Sequence, residues 1–335
     1  MTDPAAPSLP PEDILQLIRR QRLASVVPLE QPLLYCSQVQ RSGGTLLTRL
    51  FDGHTSCYVH PNELRLGRPG AWPTAAHLHE TAAAAFEALC ESWPRKFSRN
   101  GYSKVAGRPQ PGRDTLPFLF DEELQRQIFE QAFARARRTQ RDVLNGYLTS
   151  LFNAWLDYQN LYVGPKRWVV AFEPRFLLRR DGGPDLFFTD YPDGRLVTIV
   201  REPSAWLASY RKHIPSHDTA KAIRYWRDSL EAGLQALAAY PDRVELLLFD
   251  DLVHRTEAVM RRLAARMGID FEPCMLAPTY NSMPVPSDSS HVPSFGIDPL
   301  VTERHRMAPA DIEDSSGALG EVCARYGEIR SRFGL

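Results

Sequence analysis

From residue 33 onward, short apolar runs alternate with longer amphipathic stretches. Leu33-Leu34-Tyr35-Cys36-Ser37-Gln38-Val39 reads as a buried strand, and Thr45 to Asp52 as a helix stopped by Gly53. Leu46, Leu47, Leu50 and Phe51 form the inner face of that helix. Trp168 to Phe172, Leu196 to Val200 and Val244 to Phe249 repeat the strand pattern. Ala220 to Ala239 and Glu257 to Met267 repeat the helix pattern, the latter ending at Gly268. Ahead of the first strand, Glu12 to Ala24 carries Ile14, Leu15, Ile18 and Leu23 near helical spacing, and Pro28 and Pro32 bracket a turn. His77 to Trp93 is Ala-rich and reads as a helix, and Arg95 to Pro117 reads as loop. Asp121 to Arg138 and Asp142 to Tyr158 are the strongest helices, the second with a stripe from Leu144 to Leu156. A Pro- and Ser-rich stretch runs to about Pro299, and a helix from Ala310 to Phe333 closes the chain.

Alternating strands and helices predict a parallel sheet with helices on both faces, an α/β fold of P-loop type. The helices expected between the first and second sheet strands form a long insertion, residues about 65–165. It is expected to cap the active site at the sheet's C-terminal edge. The expected organisation is an N-terminal extension and helix over residues 1–30, then a single α/β domain over 31–335. Residues 1–11, rich in Pro and Ala, are expected to be disordered and do not read as a signal peptide.

Bulk composition narrows the function. The 335 residues are long enough to bury a sizeable core. Lys+Arg and Asp+Glu both number 40, so no global basic field points to nucleic acid. Cys36, Cys57, Cys90, Cys274 and Cys323 are scattered, with no C-x-x-C pair to suggest zinc or a disulfide framework. His77 and His79 lack an H-E-x-x-H context, so no metal is expected. A reducing cytoplasm is the simplest compartment, and no apolar run reaches a membrane span.

Two segments carry candidate chemistry. Gln40-Arg41-Ser42-Gly43-Gly44-Thr45-Leu46-Leu47 joins the first strand to its helix. Gly43 and Gly44 permit positive φ and close approach by an anion, the helix adds its N-terminal dipole, Arg41 a guanidinium and Thr45 a hydroxyl. No Gly-Lys-Ser/Thr occurs, so this is not a Walker A loop. Arg201 follows the strand Leu196 to Val200, and Ser209 lies eight residues later on a helix that Pro203 can start. Both could reach one phosphate if that helix packs back along the strand. A plain strand-to-helix turn explains the first segment alone, and a surface Arg explains the second alone.

Together, in this order and spacing, the two segments resemble the PAPS-dependent sulfotransferases (PAPS is 3′-phosphoadenosine 5′-phosphosulfate), and more closely the bacterial and tyrosylprotein-type branch. Leu247-Leu248-Phe249-Asp250-Asp251-Leu252 and Met267-Gly268-Ile269 add to the resemblance, which runs from about Leu33 to Gly268. It implies that Arg41, Ser42, Gly43, Gly44, Thr45 and Leu46 hold the 5′-phosphosulfate of the co-substrate PAPS, and that Arg201 and Ser209 hold the 3′-phosphate. Gly44 stands where many members carry Thr. The Gly-x-x-Gly-x-x-Lys segment of the cytosolic aryl and steroid enzymes has no counterpart, and Ser289, Ser290, Ser294 or Phe295 are candidates to cover the nucleotide instead.

Sulfuryl transfer to a hydroxyl or amine calls for charge stabilisation, for which Arg41 is the candidate, and for a base. Glu63, twenty-two residues after Arg41, stands about where the tyrosylprotein branch carries its catalytic Glu. Glu173 ends the strand 168–172, near the place of the aryl branch's catalytic His, and His60 is a third choice. The cluster Arg135, Arg137, Arg138 and Arg141 reads as cations at a helix end. A small-molecule or glycan acceptor is expected, with no nucleic-acid partner. A small-molecule kinase or a non-catalytic nucleotide-binding protein remain the alternatives.

Overall fold

A computed structural model describes residues 10–64, 81–89, 118–135, 139–178, 182–285, 296–303 and 317–335. In chain order the first half contains α1 (Pro11–Ala24), β1 (Leu33–Cys36), α2 (Gly44–Phe51), β2 (Cys57–Glu63), α3 (Ala82–Leu89), α4 (Glu122–Arg135) and α5 (Gln140–Ala154). The second half contains β3 (Trp168–Phe172), α6 (Gly183–Asp190), β4 (Arg195–Val200), α7 (Pro203–His213), α8 (Thr219–Ala239), β5 (Val244–Leu248), α9 (Phe249–His254), α10 (Thr256–Met267) and α11 (Ala318–Phe333). Two compact units result, residues 1–30 with 67–161, and residues 31–66 with 162–335.

The first unit is helical. Thr139 opens α5 with a capping box, accepting from Asp142 N while the Asp142 carboxylate accepts from Thr139 N. Arg19 on α1 grips Asp121, at the start of α4, with two nitrogens at 2.6 and 3.0 Å. Asn153 Oδ1 accepts from Val27 N at 2.9 Å, tying the segment after α1 to α5.

The second unit holds a five-stranded parallel sheet in the order β2-β3-β1-β4-β5. Every residue of β1 is buried, as expected for a central strand covered on both faces. The period-2 alternation of β5 sends Leu247 into one core with α2, α9 and α10, and Leu246 and Leu248 into another with α7, α8 and α11. The chain starts in the middle with β1, fills one side with β2 and β3, then crosses to the other with β4 and β5. That reversal leaves a switch point between β1 and β4, where the loops leaving the two strands diverge. Both candidate segments leave the sheet there, from adjacent strands.

Several elements differ from the sequence reading. β1 ends at Cys36 and not at Val39, although Ser37 N still donates to Val197 O at 2.8 Å. Strand β2 is an addition, so the long insertion lies between β2 and β3 and not directly after α2. Its sequence, Cys-Tyr-Val-His-Pro-Asn-Glu, breaks the apolar pattern after three residues. Pro61 is tolerated because β2 is an edge strand, where a missing N–H costs no ladder bond. Helices α6 and α9 were also unread, both too short for a helical period to show.

Leu47 on α2 is fully buried against the sheet. Leu47→Ala is expected to cost about 2–5 kcal/mol in urea denaturation; a loss below about 1 kcal/mol would mean that α2 does not dock on the sheet in this way.

Candidate active site

The loop from β1 to α2 is shaped by contacts that leave no room for side chains. Gly43, at φ 102°, is the N-cap of α2, and a Cβ there would lie 2.6 Å from the Phe249 ring. A Cβ on Gly44 would lie 2.2 Å from the carboxamide nitrogen of Gln38. Gln38 thus fills the space into which a Thr side chain at residue 44 would project. Arg41 adopts φ 69°, a left-handed conformation costing a non-glycine residue about 1–2 kcal/mol. Gly43 offers no side-chain cap to α2, whose first-turn N–H groups remain open to an anion. Helix α7 differs, because the Glu202 carboxylate accepts from Ser204 N and Ala205 N and so occupies its N-terminus.

Arg201 leaves the end of β4 and is only 4% exposed. Its guanidinium donates to Arg41 O at 3.1 Å and to Val301 O at 3.2 Å, and sits 4.6 Å from the Phe249 ring centroid. Arg41 Nε in turn donates to Ser209 Oγ at 3.3 Å. Arg41 thus meets both residues of the second segment, its backbone carbonyl bonding Arg201 and its side chain Ser209. Burial, and then the neighbouring Arg41 charge, push the Arg201 pKa down to about 10. Against its ordinary value of 12.5 that shift corresponds to about 3 kcal/mol of unfavourable environment for the cation. Arg201 Nε and Ser42 Oγ are buried and have no hydrogen-bond partner among the described residues. Two adjacent guanidiniums and a buried donor beside an open helix N-terminus have the chemistry to receive a multiply charged anion. Among the described residues no group of three or more His, Cys, Asp or Glu side chains could hold a metal.

Carboxylates line the neighbouring strand ends. Glu173 follows β3, its N–H donating to Cys36 O at 2.9 Å, and its Oε2 lies 2.7 Å from the Tyr35 hydroxyl. Glu63 closes β2 beyond a register irregularity that starts after Val59. Both are half-buried. His60 is buried in β2, its Nδ1 2.7 Å from Asn62 O. Burial, and secondarily the Arg49 charge, hold its pKa down at about 4, so it is a neutral and weak base at pH 7.

The structure thus brings Arg41, Ser42, Gly43, Gly44, Thr45 and Leu46 into one loop and helix turn, joins Arg201 and Ser209 to it, and sets Glu63 and Glu173 on the same sheet edge. Sequence reasoning missed Gln38, Tyr35, Phe249 and the Val301 carbonyl. Phe249 stood in view as the apolar residue before the acidic pair, but its place between Gly43 and Arg201 has no local signal. Ser289, Ser290, Ser294, Phe295, His77, His79, Arg137 and Arg138 lie outside the described residues. Arg141 donates to Glu30 O at 3.1 Å, a bond the helix-end reading did not foresee.

Gly43→Ala combines a left-handed φ with a clash against Phe249, and is expected to destabilise by about 1–4 kcal/mol in urea denaturation. An unchanged midpoint would contradict the described loop. His60 titrates near 6.5 when unfolded and at about 4 when folded, so between these values only the unfolded chain takes up the proton. Stability should fall as pH drops through that window, by up to about 3 kcal/mol. His60→Asn should flatten the slope measured between pH 7 and 4.5, whereas an unaltered slope would place the imidazole in water.

With the geometry defined, comparisons with known proteins can be weighed. A family model described as the sulfotransferase family matches residues 36–273, well over half of the chain. No curated protein matches it. Among solved structures, the sulfotransferase domain from the Synechococcus PCC 7002 olefin synthase is 19% identical, with a TM-score of 0.55 over 89% of this chain and 94% of that one. The sulfotransferase domain from the curacin biosynthetic pathway is 15% identical, with a TM-score of 0.49 over 90% and 99%. The first likeness shows a shared α/β fold, and the family match covers both candidate segments together with β4. The chain belongs to the sulfotransferase family.

Proposed function

We propose that this enzyme transfers a sulfuryl group from PAPS to a hydroxyl or amine of a small-molecule or glycan acceptor. The observation that carries the reading is the convergence of Arg41, Arg201 and Ser209 at the switch point, with Arg201 Nε buried and unfilled. A single phosphate site would need only the loop and the N-terminus of α2. A second cationic pocket beside it suits a nucleotide carrying phosphate on its 3′ as well as its 5′ side.

In this assignment Ser42 to Leu46 and the first N–H groups of α2 hold the 5′-phosphate, and Arg201 with Ser209 holds the 3′-phosphate. Bound PAPS supplies an activated sulfuryl group: the acceptor oxygen forms a new S–O bond, the bond from sulfur to the bridging phosphate oxygen breaks, and its electron pair stays on the phosphate. Arg41 offsets the charge arriving there; its guanidinium acts by field and hydrogen bond and gives up no proton. A carboxylate at the end of β2 or β3 takes the acceptor's proton. The Tyr35 contact holds Glu173 at a defined place, as a base requires, and Glu173 serves as the base in this reading, with Glu63 the alternative.

Calorimetric titration with 3′-phosphoadenosine 5′-phosphate (PAP) tests the reading. Binding is expected at micromolar concentrations, with Arg201→Ala weakening it about 10- to 100-fold and Arg201→Lys recovering part of the loss. Equal affinity of Arg201→Ala and wild type would remove Arg201 from the nucleotide site, and no binding to the wild type would overturn the reading.

A further inference from the structure

Tyr35 is fully buried in the middle of the sheet. Its ring meets Phe176 edge-on at 5.2 Å and stacks on Phe187 at 5.8 Å, so it cannot swing away. The hydroxyl reaches the C-terminal edge of the sheet, 3.0 Å from Leu64 O and 2.7 Å from Glu173 Oε2. A phenol has one proton to donate, and both neighbouring atoms are acceptors when Glu173 is ionised.

We propose that Tyr35 is a positioning residue of Glu173, its hydroxyl holding Oε2 while the other carboxyl oxygen gains and loses the acceptor's proton. This rests on the sulfotransferase reading, with Glu173 as base. When Glu173 is a carboxylate, Tyr35 donates to Oε2 in a short charge-assisted bond. When Glu173 has taken the acceptor's proton on its other oxygen, Oε2 is the carbonyl oxygen of a neutral acid and still accepts from Tyr35, more weakly, with Leu64 O as the hydroxyl's second acceptor. The proton count balances: the acceptor loses one, Glu173 gains it, and Tyr35 keeps its own throughout. In both states the carboxyl group has a partner at the same place, so taking the proton does not release it from the sheet edge. Leu64 O also ties this arrangement to β2, because Leu64 N donates to Phe172 O at 2.8 Å.

Tyr35→Phe tests the idea, because it removes one oxygen and keeps the packed ring. The four proteins of the cycle (wild type, Tyr35→Phe, Glu173→Gln and the double variant) are assayed for release of PAP from saturating PAPS, with water, 4-nitrophenol and n-octanol as probe acceptors. PAP affinity is measured by calorimetry alongside. Tyr35→Phe should lower kcat about 10- to 100-fold, with the KM for PAPS and the PAP affinity unchanged. Glu173→Gln should lower kcat about 100-fold or more. In the Glu173→Gln background, loss of the Tyr35 hydroxyl should cost less than threefold. Full activity of Tyr35→Phe, or an equal loss in both backgrounds, overturns the proposal. So does a wild type that binds PAP yet turns over none of the probes, whereas a wild type that binds no PAP removes the sulfotransferase reading itself. A urea-denaturation cycle on the same four proteins reads the bond without any activity, and strictly additive midpoints would show that no Tyr35–Glu173 bond exists.

Discussion

The site depends on a buried guanidinium whose charge burial disfavours more than the nearby Asp250 and Glu202 support it. Arg201 is fixed by two backbone carbonyls and the face of Phe249, and its charge is disfavoured by burial and by Arg41. Such an arrangement costs stability in the free protein and repays it only when an anion arrives. Around it the rest of the site follows. The Arg41 carbonyl that accepts from Arg201 belongs to a left-handed residue, so one hydrogen bond ties the strained loop after β1 to the end of β4. Phe249 lies against Gly43 and under Arg201 together, which makes the third sequence segment a wedge between the other two.

The order of the strands makes this possible. Because β1 and β4 are neighbours across the switch point, segments separated by 160 residues leave the sheet side by side. Helix α7 brings Ser209 to Arg41. Trp206 Nε1, donating to Gln40 O at 2.8 Å, and Trp226 Nε1, donating to Arg201 O at 3.0 Å, fix both loops from the helix side. The buried indoles thus serve the site while belonging to the core.

Much of this was legible in the chain. β1, β3, β4 and β5 are apolar runs, and Gly43, Gly44, Arg201 and Ser209 follow two of them in an order and spacing that, taken together, point to one site. What stayed hidden is what depends on contacts between distant segments. Gln38 gives no sign in the sequence that it fills the space beside Gly44. Tyr35 reads as one more buried aromatic until its hydroxyl is seen against Glu173. Edge strand β2 is masked by its own Pro61, so Glu63 could be placed only by resemblance. His60 looked like a candidate base because composition says nothing of burial, which is what lowers its pKa.

The central claim is that the two segments bind two phosphates of one nucleotide. The most direct measurement is calorimetric comparison of PAP with adenosine 5′-phosphate, which lacks the 3′-phosphate. The account predicts that PAP binds at least about tenfold more tightly, from one charge-assisted contact or more at Arg201. Equal affinities for the two nucleotides would contradict it.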